Sequence, residues 1–184
     1  MNRGFALVTG LLFLAVLSIL GVTLMKVTRL ETLMAGGARE AGIALQAAEA
    51  ALRDAEASVI PDPSTGVCGL AIDPDESGSG RYGRNAAEPV YPSHAWTSGS
   101  DYIAISRDYP EMQSGNQPRS VIKHLDDLCV DATSDWRPCV DLGKGDYGQP
   151  DYEQLSLFRI TAWGTSRDGT SNSLLQAHVS CLAR

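Results

Sequence analysis

No charged side chain occurs between Phe5 and Met25, and no acidic one occurs before Glu31. A stretch of that kind cannot form the water-facing surface of a globular domain. Close cysteine pairs are also missing: Cys68, Cys129, Cys139 and Cys181 never form C-x-x-C, so the usual zinc spacing is absent and no metal ligand is expected. Only three histidines occur, His94, His124 and His178, scattered and without an H-E-x-x-H arrangement. There is no G-x-S-x-G nucleophile elbow and no P-loop. These absences leave no catalytic residue and no cofactor to predict, and they argue against an enzyme.

What is present begins with the uncharged run itself, 21 residues long. At ~1.5 Å per residue a helix of that length covers roughly 30 Å, the thickness of bilayer hydrocarbon. Lipid tolerates such a segment only as a helix, because every backbone group must be satisfied internally. Arg3 before the run favours an N-in orientation, while Lys26 and Arg29 after it pull the other way. Beyond Arg29 the chain carries twelve basic and 22 acidic residues, a net of −10. So acidic a domain repels phosphate backbones, and nucleic acid is not an expected partner. Four well-separated cysteines on the exported side of a membrane read as two disulfides. Three connectivities are open. The short loop favours Cys129–Cys139, worth roughly 3 kcal/mol, which leaves Cys68 with Cys181.

Residues 5 to about 58 predict one long helix. Leu30, Met34, Leu45, Ala48, Leu52, Ala55 and Val59 recur at helical spacing, and Gln46–Ala57 is rich in strong helix formers. Glu49 and Arg53 stand four apart, an exposed supporting pair. Gly36, Gly37 and Gly42 are weak points where the helix is expected to bend or open, and Pro61 and Pro63 end it. Residues 60–100 read as a long ordered loop, and residues 126–153 as another. Strand candidates are Asp101–Ser106, Ser120–Leu125, Leu155–Trp163 and Leu174–Ser180. Asp168-Gly169 marks the turn of a hairpin formed by the last two. A helix followed by antiparallel strands is α+β, with the apolar face of the sheet packed on the Ala-rich face of the helix.

Several patterns have plainer readings. Asp73-Pro-Asp75-Glu76-Ser77-Gly78 begins like a calcium loop, but its twelfth position is Arg84 in place of a bidentate Glu; it reads as a solvated turn. Gly78-x-Gly80-x-x-Gly83 follows Pro74 and precedes no helix, so it reads as a loop. Asp131, Asp135, Asp141, Asp146 and Asp151 read as a solvated acidic loop. Trp96, Trp136 and Trp163 read as packing residues.

Arg3-Gly4-Phe5-Ala6-Leu7-Val8, followed by the apolar run, resembles a prepilin-type signal. Three further stretches, residues 17–23, 28–36 and 46–56, are similar to the PilX type of minor pilin. Phe158-Arg-Ile-Thr-Ala-Trp-Gly164 is similar to that family's terminal strand. The resemblance implies a type IV pilin-like fold: a long N-terminal helix packed on a small antiparallel sheet. It implies cleavage by a prepilin peptidase after Gly4 and N-methylation of Phe5. Residues 1–4 are then a leader, 5–29 the membrane and filament-core half of the helix, 30–60 its periplasmic half and 61–184 the head. Leu7, Val8, Thr9, Leu11, Leu12 and Leu14 are the implied helix-packing positions. The implied partners are other minor pilins, the major pilin and a large tip adhesin, in a subunit that leaves the inner membrane for the pilus. Most pilins carry glutamate where this chain has Thr9. That departure is shared with the K-type pseudopilin of type II secretion, and it implies a place at or near the filament tip. The alternatives are a type II pseudopilin and, from another class, a membrane-anchored periplasmic enzyme.

Overall fold

The computed structural model describes residues 3–88, 96, 101–105, 109–110, 112, 114–130, 136–138 and 153–183. Helix α1 spans Arg3–Val59 and runs through Gly36, Gly37 and Gly42 without interruption. The expected opening at these glycines does not occur: backbone hydrogen bonding continues past a missing Cβ. The last turn closes with the Ile60 N–H donating to Glu56 O at 2.8 Å. Pro61 then supplies no N–H to continue. The expected Glu49–Arg53 pair forms at 3.4 Å on the exposed side.

The chain falls into two units, Met1–Glu40 and Ala41–Arg184. The first is helix alone. In the second, the rest of α1 packs on a sheet that among the described residues has seven strands: β1 Ser77–Gly78, β2 Arg81–Tyr82, β3 Ile103–Ala104, β4 Arg119–Val130, β5 Trp136–Pro138, β6 Glu153–Thr165 and β7 Asn172–Leu182. The main order is β1-β2-β4-β6-β7, with β3 and β5 also paired to β4. All pairs are antiparallel except β2 with β4. The fold is therefore α+β and pilin-like, with one parallel pair in an otherwise antiparallel sheet.

The hairpin β6–β7 forms as the sequence predicts. Gly169 takes φ +75° in its turn, and the Asp168 carboxylate accepts hydrogen bonds from Ser166 Oγ (2.8 Å), Thr170 N (3.1 Å) and Thr170 Oγ1 (2.7 Å). The long loop over 60–100 holds one short hairpin, and the loop expectation over 126–153 is corrected in part. Within 60–100, Ser79 and Gly80 adopt positive φ, making a two-residue turn that joins β1 to β2. Within 126–153, β4 continues to Val130 and β5 pairs with it through Leu128↔Pro138, Cys129↔Arg137 and Val130↔Trp136. Pairing with a neighbour supplies the stability that their Asp- and Pro-containing sequences lack. The candidate strand 101–106 is shorter than expected: only Ile103 and Ala104 pair, with Ser120 and Arg119.

The buried stripe of α1 is Ala44, Ala47, Ala48, Ala51, Ala55 and Val59, whereas Leu45 is 41% exposed. Of the expected stripe, Ala48, Ala55 and Val59 are buried and Leu52 packs partly buried against the main core; Leu30 and Met34 lie in the exposed first stretch, and Leu45 alone is turned away within the second. The reason is Gly164 of β6: a Cβ built there would lie 2.2 Å from Ala48 N and 2.5 Å from Ala44 O. Backbone meets backbone, and only methyl groups fit alongside. Farther along, Ala55 and Val59 join Ile72, Ile122, Phe158, Ile160 and Cys181 in the main core.

Candidate functional site

The first candidate is the N-terminal part of α1. Val8, Leu11, Leu12, Phe13, Leu14, Leu17, Ile19, Leu20, Leu24, Met25, Leu30, Leu33 and Met34 are all exposed. A helix that is apolar on every side and uncovered has no polar face to offer water. Its hydroxyls are already satisfied. Ser18 donates to Leu14 O (2.8 Å), Thr23 to Ile19 O (2.6 Å), Thr28 to Leu24 O (3.0 Å) and Thr32 to Arg29 O (2.9 Å). These groups therefore enter hydrocarbon without leaving an unpaired donor. The segment is long and apolar enough to cross a membrane. Among the expected packing positions, Val8, Leu11, Leu12 and Leu14 are exposed and Thr9 is half-buried. Gly4, Phe5 and Leu7 lie within α1, but their side chains are outside the described residues.

Disulfide chemistry is the second expectation. Cys68 is bonded to Cys181, closing a separation of 113 residues. This ties the segment after α1 to the end of β7, where Cys68 N–H donates to Leu182 O and Leu182 N–H to Gly66 O, both at 2.8 Å. Cys129 is also disulfide-bonded. The expected pairing of Cys129 with Cys139 falls on a residue outside the described ones.

One cleft of about 270 Å³ lies beside the Cys68–Cys181 bridge, lined by residues 68–72, His124, Asp127, Gln154, Ser156, Phe158 and Ala183. A register shift between His124 and Asp126 inserts Leu125 as an extra residue. It turns His124 and Asp127 to the same face of β4. His124 Nε2 and Ser156 Oγ both meet Asp127 Oδ1, at 3.0 and 2.6 Å. The carboxylate thus stands between imidazole and hydroxyl. A serine nucleophile needs its proton taken by the histidine, and here both groups are engaged by the aspartate instead. The trio is a packing network with His124 against Phe158, ring centroids 5.1 Å apart.

The opposite face of the sheet holds a feature that sequence reasoning missed. Arg119 is buried, its guanidinium 4.6 Å from the Tyr102 ring centroid and 4.4 Å from that of Trp163. It donates to Trp96 O and Gly115 O. Burial lowers its pKa, and Tyr102 acts in the opposite direction; an arginine remains a cation regardless. Lys123 donates to Gly83 O (2.6 Å), Arg84 O (3.2 Å) and Ala86 O. Arg159, directly across from Lys123, pairs with Glu88. Three cations on β4 and β6 thus hold successive points between Gly83 and Trp96 onto the sheet. Tyr82 lies buried beneath, its phenol pKa raised by burial first and by Asp101 and Glu88 next. The only sequence signal was the i, i+4 spacing of Arg119 and Lys123, which places both on one face of a strand.

The apparent calcium loop spends its carboxylates on itself. Asp73 Oδ1 accepts from Asp75 N at 3.0 Å, and Glu76 Oε2 from Asp73 N at 3.3 Å. Arg84 turns to Asp126 at 3.2 Å. Among the described residues no three His, Cys, Asp or Glu gather as a metal site. The aspartates at 131, 135, 141, 146 and 151 lie outside the described residues.

Among the described residues of the head no catalytic or metal-binding constellation is assembled, and the uncovered helix stands out. Residues 3–53 match the PilX N-terminal family. The chain carries the N-terminal segment of a PilX-type pilin. No curated protein and no solved structure gives a significant match. The match ends inside α1 and covers 51 of the 184 residues. Pilins are structural subunits, and an exposed apolar helix suits their anchoring and assembly.

Proposed function

We propose that this pilin is a minor subunit that helps to start assembly of a type IV pilus and stays at or near its tip. The observation that carries the proposal is the uncovered apolar helix with a hydroxyl, Thr9, where most pilins carry a carboxylate. An ion pair in a low-dielectric medium is far stronger than a contact with a hydroxyl, and a carboxylate there needs a partner. A subunit without it has no ion pair to offer the amine of a subunit ahead, which suits the first position. In this reading residues 1–4 are removed between Gly4 and Phe5. Phe5 to Arg29 lies in the inner membrane and later in the filament core, and the head contacts other minor pilins, the major pilin or a tip adhesin. The same Thr9 favours a second reading, a minor pseudopilin of type II secretion.

The test is localisation of the labelled chain on sheared pili, with mass spectrometry of its N-terminus. Label confined to one end and a chain starting at methylated Phe5 are expected. Even labelling along the shaft contradicts the tip position, and a start beyond residue 30 contradicts retention of the helix.

A further inference from the structure

The two ends of the Cys68–Cys181 bridge stand in unlike surroundings. Cys181 is 2% exposed and belongs to the main core with Ile122, Phe158 and Ile160. It is held in β7, across from Ser156 in an unbroken register with β6. Cys68 lies in no helix or strand and is only partly buried. It lines the cleft of about 270 Å³, and Cys181 does not.

Thiol–disulfide exchange begins when a thiolate attacks one sulfur, and access decides which of the two is taken. An attacker reaches Cys181 only through the core. It reaches Cys68 from the cleft. The cleft also limits what can enter, because its volume falls below the ~300 Å³ at which pockets for drug-sized ligands begin. It suits a thiol of a few heavy atoms.

We propose that the Cys68–Cys181 bridge is opened by small-molecule thiols through this cleft, with Cys68 as the site of thiolation. The attacking thiolate forms an S–S bond to Cys68 Sγ. The Cys68–Cys181 bond breaks, and its electron pair leaves on Cys181 Sγ, which then takes a proton from water. A second thiol removes the first as a free disulfide and leaves both cysteines reduced, so the two thiols together are the reductant. The departing Cys181 thiolate emerges in the core, and apolar surroundings disfavour a thiolate, so opening is slow. Thiolation at Cys68 leaves β7 paired with β6 while it releases the closure spanning 113 residues. The proposal does not depend on where in a filament the subunit sits.

The test uses the full-length protein in detergent with its bridges intact. 2-Mercaptoethanol is added, the reaction is stopped early in acid, released thiols are alkylated, and peptides are read by mass spectrometry. The 2-mercaptoethanol adduct is expected on Cys68 with the alkyl group on Cys181, exceeding the reverse arrangement about tenfold. Peptides carrying Cys129 are scored apart, because that cysteine is also disulfide-bonded. Ala71→Trp, which fills the cleft from an exposed position, should slow formation of the Cys68 adduct about tenfold. Should Ala71→Trp lower the melting temperature of the head, the adduct ratio in the parent decides alone. Equal adducts on the two sulfurs, which opening by global unfolding would give, overturn the proposal. So does an excess on Cys181, no adduct on either, or a well-folded Ala71→Trp protein that reacts at the parent's rate.

Discussion

Two stretches of one helix meet opposite conditions. From Val8 to Met34, α1 carries Leu, Val, Ile, Phe and Met on every side, and Leu14 is 65% exposed. From Ala44 to Val59 it carries alanine on one side, and Ala48 is 0% exposed. The more hydrophobic stretch is the one left uncovered. Burial within the chain is decided by fit as well as by hydropathy. The sheet approaches α1 so closely at Gly164 that only small side chains are admitted. The large side chains of the first stretch suit lipid, or neighbouring helices, which have no fixed backbone at contact distance.

The largest expected effect breaks the second region alone. Replacing Cys68 and Cys181 by alanine opens a closure of 113 residues and should cost about 4 kcal/mol. Chemical denaturation of the head should show this loss, while the helix content of the first 40 residues in detergent should not change. Equal loss in both regions would show that they unfold as one.

The next effect sharpens the size argument. Gly164→Val drives a branched side chain into Ala44 and Ala48, an overpacking cost of about 3 kcal/mol. Leu14→Phe, an enlargement at an exposed position, should leave the melting of the head unchanged. A well-folded Gly164→Val protein would mean that helix and sheet separate at little cost.

The smallest effect is confined to the β6–β7 turn. Hydrogen bonds from Thr170, first its hydroxyl and then its N–H, and from Ser166 hold the Asp168 carboxyl below its ordinary 3.8. A depressed folded-state pKa contributes stability that is fully present above the unfolded value and is lost as pH falls through the lower folded one. Asp168→Ala should therefore lower the melting temperature slightly at neutral pH, and the difference from the parent should vanish in strong acid. A difference that grows in acid would contradict the assignment.

Part of this architecture was legible in the chain. The uncharged run from Phe5 to Met25, the prolines at 61 and 63, and the Asp168-Gly169 turn each act through local geometry. They define α1 and the hairpin without reference to anything distant. The Ala-rich face of α1 was legible as the one that meets the sheet; the exposure of Leu45 was not, because the close approach that excludes it comes from Gly164, more than a hundred residues away. Strand β5 was hidden by Pro138 and by the polar sequence around it.

The sequence by itself determined that a helix suited to lipid comes first, that an acidic α+β head follows, and that Cys68, Cys129 and Cys181 belong in disulfides. Those properties follow from composition and from periodicity along a few turns. Only the tertiary structure decided that Leu45 is left out of the buried face of α1 and that Leu125 is inserted to set His124 beside Asp127. It also decided that Lys123 and Arg159 hold residues 83–88, and Arg119 holds Trp96, to the sheet. Each of these depends on how close two distant backbones come and on the register in which they meet, and neither quantity is written in any local stretch of sequence.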